Sequence, residues 1–209
     1  ALSSLALGAL TTTQLATFSV SALPVGSLQS GQLRGLSTAQ VAGLSTGQVA
    51  LLTPNNVKGL SASQLQALST GQLGVLGGAA VGAWSSATIG GLTSGQLMAL
   101  STQQIASLSS LNVKGLSTVQ LPMLSTVQLS ALETVDVAAL STVQLRGLAS
   151  EQLASFSSGQ LGAIGTSMMP GLSGQQLAVL STQQLLSLGA RNLATLSASQ
   201  LQALSTGQL

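Results

Sequence analysis

Leucine returns every eighth residue from Leu28 to Leu204, with few exceptions, and a second apolar residue stands five positions after each one, as Val41 after Leu36 and Leu65 after Leu60. Between them run a small hydroxyl residue and, three places later, a glutamine: Ser37 and Gln40, then Ser45 and Gln48, then Ser61 and Gln64. Numbering each octad from its leucine, position 1 is Leu in 20 of 23 units, and Trp84, Phe156 and Ile164 fill the others. Position 6 is aliphatic or Met in all 23, so these two rows are the expected core. A fixed short period marks an array in which each unit buries its apolar face only against its neighbours.

The polar positions predict a helix in every octad. A Ser or Thr followed three residues later by Gln is a capping box: the hydroxyl accepts from the N3 amide, and the glutamine reaches back to the N-cap amide. An apolar residue just before the cap and another at N4 add the hydrophobic staple. Leu36-Ser37-Thr38-Ala39-Gln40-Val41 has all four elements. The same pairs recur as Ser117 and Gln120, Ser125 and Gln128, and Ser141 and Gln144, and position 2 is Ser or Thr in 17 units. Thr53-Pro54 adds a proline at the first helical position, where its missing amide costs nothing. Glycine at position 8, as in Gly35, Gly43, Gly59, Gly147 and Gly171, predicts a left-handed cap that ends each helix.

One long helix does not fit, because an octad rotates by about 800° and the leucine row would wind around the cylinder. The expected fold is therefore all-α, a solenoid of very short helices with one per eight-residue repeat. The alternative is a β-solenoid with three octads per coil. It is disfavoured because positions 1 and 6 have opposite parity along a strand and because Gln and Ala are poor strand formers. Helices this short are not stable alone, so stacking is obligatory.

The expected organisation is a single continuous array over residues 1–209, a segment of a longer one, since the sequence opens within a repeat at Leu2 and stops within one at Leu209. Leu2, Leu10 and Phe18 continue the octads upstream, and two extra residues, Gly26 and Ser27, shift the frame before Leu28. Residues 60–73 and 196–209 are identical, LSASQLQALSTGQL, as expected of duplication in register. The pattern breaks at 74–91, where Gly77 and Ala80 replace the capping pair, and at 164–171, where Met168 replaces the glutamine. These stretches are expected to bend or weaken the array; the sharper reading is a lateral contact with another subunit through Trp84, Met168 and Met169.

Composition narrows the chemistry. Charged residues are 4% of the chain and neither His nor Cys occurs, so an enzyme is not expected, nor a cofactor or a metal. Glu133 and Asp136 fall at positions 2 and 5, where they are expected to replace the cap residues near a helix N-terminus. Arg34, Lys58, Lys114 and Arg146 all fall at position 7, facing solvent. Five scattered basic residues cannot neutralise a run of phosphates, which excludes nucleic acid as the expected partner. The mean hydropathy of +0.55 and the uncharged stretch from Gly74 to Ile89 raise a membrane span. That stretch is mostly Gly, Ala and Ser and keeps the octad register, so no span is expected.

The octads resemble the L-[ST]-x-x-Q-[LIV]-x-x tracts of low-complexity repeat proteins in bacteria, many of secreted or surface-attached type. The resemblance implies an extracellular or cell-surface location and a partner that is the chain itself, a polysaccharide or a cell surface. Leu52-Thr53-Pro54 with Val57 is also similar to the start of a transcription-activator-like effector repeat, but the period of eight and the lack of a base-reading pair exclude DNA reading by that route. The expected function is a structural protein, a self-assembling filament, stalk or matrix component; the alternative is a module whose hydroxyl rows bind ice or polysaccharide.

Overall fold

The computed structural model describes residues 9–209, so Leu2 lies outside the described residues. Every regular element among them is a short α-helix or 3-10 helix, and no strand is present, which sets the β-solenoid aside. The chain divides into two compact units that meet in sequence between Leu108 and Ser109.

Most helices begin where the octad rule places them; after Ser117 the chain makes a turn and then the 3-10 helix Leu121–Met123. Ser37 has extended backbone (φ −69°, ψ 157°) and its hydroxyl accepts from the Gln40 amide, while the Gln40 side chain accepts from the Ser37 amide; the Thr38–Ala42 helix follows. The same box opens Ala62–Gln66 at Ser61 and Thr126–Ser130 at Ser125. Position 6 lies in the last turn and is fully buried, as at Leu33, Leu65, Val113 and Leu145. The chain then turns inward at position 1, where Leu36, Leu68, Leu116 and Leu148 are at most 4% exposed.

Elements three octads apart pack on one another, so one turn of the coil holds three octads, or 24 residues. In the first unit Ser30–Arg34, Pro54–Val57, Gly78–Gly82 and Thr102–Ala106 form one stack, and Thr38–Ala42, Ala62–Gln66 and Ser86–Gly90 another. In the second unit Thr126–Ser130, Ser150–Ala154, Gly174–Ala178 and Ala198–Gln202 stack in the same way, as do Thr142–Gly147, Thr166–Gly171 and Ala190–Leu193.

Two expectations need correction. The glycines at position 8 are not left-handed caps: Gly35 has φ −76° and Gly43 φ −79°, and the one positive φ among the described residues belongs to Gly189. At some of them the coils approach closely. A Cβ on Gly59 would run into the backbone of Ser30, and one on Gly171 would lie 2.5 Å from the Thr142 carbonyl oxygen. The frame shift is likewise not an octad with two extra residues. The ten residues from Phe18 to Ser27 form two 3-10 turns, Val20–Ala22 and Val25–Ser27, and Val25 takes the fully buried place of a position-6 residue. Ten residues thus carry two elements, and the count of three per turn is kept.

The irregular octads hold their places. Gly77 makes no side-chain cap, yet Gly78–Gly82 forms with Ala80 and Val81 buried, and its glycines close on Ser107. At Thr166–Gly171 the Met168 sulfur replaces the missing glutamine oxygen, 3.4 Å from the Gly165 amide.

Candidate functional site

The repeated polar feature of each unit is the seam between coils, and glutamine builds it. A helix leaves its last carbonyls without internal partners. In this chain the position-5 amide of the coil above satisfies them. Gln64 accepts from Ser61 through Oε1 at 2.8 Å and, through Nε2, donates to Leu33 O at 2.9 Å and Leu36 O at 2.7 Å, four elements back. Gln96 donates to Leu65 O and Leu68 O, both at 2.8 Å, and Gln104 to Leu73 O at 2.8 Å and Leu76 O at 2.9 Å. The second unit repeats the geometry, with Gln144 on Val113 O and Leu116 O, Gln160 on Leu129 O and Leu132 O, and Gln176 on Leu145 O and Leu148 O.

One side chain therefore caps two helices, the start of its own and the end of another a coil below. The position-6 and position-1 carbonyls are thus closed by a side-chain donor, with no left-handed residue involved. Across the ten-residue stretch the rule still counts elements, with Gln48 donating to Val20 O and Leu23 O and Asn56 to Val25 O. Most of these amides are buried; Gln64 is 3% exposed and Gln160 2%.

Of the cap residues singled out in the sequence, Gln40, Gln48, Gln64 and Gln144 donate across this seam. Ser45 with Gln48, Ser117 with Gln120 and Ser141 with Gln144 form boxes like those described. The seam role of the amide nitrogen was missed. Its signal is present in the sequence: a box alone accepts Glu as readily as Gln, yet position 5 holds Gln or Asn in nearly every octad and Glu in none.

Trp84, Met168 and Met169 are corrected as lateral contacts. They are 4%, 6% and 0% exposed, and their octad positions 1, 5 and 6 point inward, so they offer nothing to a neighbouring subunit. What the surface does carry is a run of exposed aliphatic residues at position 4: Leu111, Val119, Val127, Val135 and Val143, each 60% exposed or more. With three octads per turn, consecutive members fall on different sides of the coil. They form a belt and not a face.

The acidic residues do not converge. Glu133 and Glu151 are exposed, while Asp136 is buried in the Thr134–Val137 helix. Neither Glu133 nor Asp136 makes a side-chain capping bond, and both Asp136 oxygens lack a hydrogen-bond partner. Burial pushes the Asp136 carboxyl above its ordinary value of 3.8; the nearby Glu133 amide favours the charge without closing a hydrogen bond, and the Glu133 carboxylate opposes it. A carboxyl whose pKa is raised by folding favours the folded state fully below pH 3.8, and that contribution is lost as pH rises through the raised value. Asp136→Asn restores an amide donor at position 5. It is expected to raise stability at neutral pH by about 1 to 3 kcal/mol and to flatten the decline from acid to neutral pH, both read from denaturant midpoints.

Three concavities hold only hydroxyls, amides and apolar edges. One of about 360 Å³ is lined by Pro170, Leu172, Ser173, Thr195, Ser197 and Gln200. Among the described residues no helix is long and apolar enough to cross a membrane.

The octad seam coincides with a known repeat. The ALTTAQ repeat matches residues 25–62, 89–126 and 129–166, which is more than half of the chain. The chain belongs to the ALTTAQ repeat family. The six letters of that name run from position 8 through position 5 of the octad, and Ala9 to Gln14 differs from them only by Thr13. No curated protein matches the chain.

Proposed function

We propose that this ALTTAQ repeat chain is a structural protein that assembles with itself into an extracellular filament, stalk or matrix component, and that it has no enzymatic activity. The seam carries the reading. Each coil offers amide donors toward the coil before it and carbonyl acceptors toward the coil after it, in the same register from octad to octad. Such a surface is complementary to any other copy of itself, and head-to-tail contacts that do not close generate fibres. Near-zero net charge favours association over dispersal, and this chain carries +2 on 209 residues. The likeness to secreted octapeptide tracts supports a place outside the cell.

A binding face for ice or polysaccharide would need one unbroken row of hydroxyls along a stack. Position 3 supplies Thr118, Thr142 and Thr166 on one stack of the second unit but Ala190 next, and Ser30, Pro54, Gly78 and Thr102 on a stack of the first. The rows are too mixed for that function. Negative-stain imaging of the purified chain is expected to show extended particles much longer than one molecule. Compact particles that stay monomeric at every concentration would overturn the proposal.

A further inference from the structure

In the second unit the Thr134–Val137 helix is closed by a side chain at neither end. Thirteen residues occupy position 5 from Asn112 to Gln208, and eleven of them are Gln or Asn; the exceptions are Asp136 and Met168. Both exceptions bear on this one helix, although they stand 32 positions apart. At its start neither Glu133 nor Asp136 makes a side-chain cap, and Asp136 is fully buried with both carboxyl oxygens unpartnered. At its end, the residue 31 positions after Val137 and 28 after Leu140 is Met168, where the seam rule calls for a donor. A thioether has no N–H to give, and the Met168 sulfur accepts from the Gly165 amide instead. Val137 O and Leu140 O therefore receive no position-5 amide, although Leu140 is only 4% exposed. The octads on either side are sealed, by Gln160 on Leu129 O and Leu132 O and by Gln176 on Leu145 O and Leu148 O.

We infer that Thr134–Val137 is an opening point built into the second unit: it unfolds locally while the flanking octads stay closed, and it presents residues 133–140 to solvent and to proteases. The free energy of a local opening is set by what the segment gives up. A helix of four residues holds little by itself, so this one stays closed through its packing against the Ser110–Gly115 and Ser158–Gly162 helices. The side-chain bonds that hold its neighbours at both ends are missing. Opening also returns the buried Asp136 carboxyl and two carbonyl groups to water, a gain that a sealed helix does not have. Placed on different helices, the two substitutions would each weaken one coil slightly. Placed on one, they concentrate the loss there. Opening of this kind needs no second copy and stands apart from self-assembly.

Native-state hydrogen exchange on the full chain reads the opening directly. The Val137 and Leu140 amides bond Glu133 O and Val137 O, as the corresponding amides do in the sealed octads. Corrected for intrinsic rates, they are expected to exchange at least about tenfold faster than the amides of Leu129, Leu132, Leu145 and Leu148. Met168→Gln supplies the missing donor and should slow Val137 and Leu140 by about tenfold while leaving the four reference amides unchanged. Asp136→Asn removes the buried charge at the other end and should act in the same direction, which keeps the test intact if the Met168 variant does not fold. A glutamate-specific protease gives a second reading, because the chain has two glutamates, both exposed and both in this unit. Cleavage after Glu133 should precede cleavage after Glu151, whose helix Ser150–Ala154 is opened by Gln152 and sealed by Gln184 on Ala154 O and Phe156 O. Equal exchange at all six amides, cleavage at Glu151 first, or a Met168→Gln chain in which all six slow alike would each overturn the assignment, since the octad would then open only together with its unit.

Discussion

Gln64→Glu is expected to destabilise the first unit by about 3 to 5 kcal/mol, the cost of a buried charge left without a partner. The substitution changes one atom. A glutamate oxygen still accepts from the Ser61 amide, so the box that starts the Ala62–Gln66 helix survives. The second oxygen then faces Leu33 O and Leu36 O, which Nε2 bonds at 2.9 and 2.7 Å, and acceptor meets acceptor. At 3% exposure no water is at hand to relieve the repulsion. Folding would raise the new carboxyl above its ordinary value of about 4.3, because the protonated form can donate. The loss should therefore be full at neutral pH and shrink as pH falls through the raised value. Gln64→Asn is the control: Asn56 already serves in this role with longer bonds, 3.2 and 3.4 Å, so only a small loss is expected. Guanidinium midpoints for the three chains at neutral and acid pH decide it, and equal midpoints for Glu and Gln at neutral pH would show that the seam contributes nothing.

What could be read in the sequence was what is local. Ser37 and Gln40 stand three residues apart, and their box needs nothing beyond that helix, so helix starts follow from the octad alone. The number of octads per turn does not, because the apolar rows at positions 1 and 6 only require an inside and leave its circumference open. The glycines show a local rule losing to a distant one. Gly59 follows a helix, where a left-handed cap is common, yet its backbone is not left-handed, and its real constraint is the Ser30 backbone. Met168 and Met169 stand out as breaks in a polar pattern, but positions 5 and 6 point inward whatever fills them. The ten-residue stretch from Phe18 to Ser27 was misread because counting residues hides that each coil is closed by a fixed number of helical turns.

Gly59→Ala is expected to cost about 2 to 3 kcal/mol, at the upper end for an added methyl group in a packed interior. The backbone at Gly59 is not in the left-handed region, so alanine can adopt its conformation without strain. The cost comes from what the new Cβ meets: it would lie 2.5 Å from the Ser30 carbonyl carbon and 2.8 Å from its Cα, with the carbonyl oxygen closer still. These are backbone atoms of the stacked helix and cannot rotate away, so the coils must separate. Separation stretches the neighbouring seam bonds, including Asn56 to Val25 O. Gly95→Ala isolates the argument. That glycine lies inside the Ser94–Met98 helix with nothing within 4 Å of its added Cβ, and alanine there should stabilise the helix by about 0.5 to 1 kcal/mol. Two Gly→Ala changes in one unit are thus expected to move the denaturation midpoint in opposite directions. If Gly59→Ala stabilises as Gly95→Ala does, close approach to Ser30 is not what holds residue 59 to glycine.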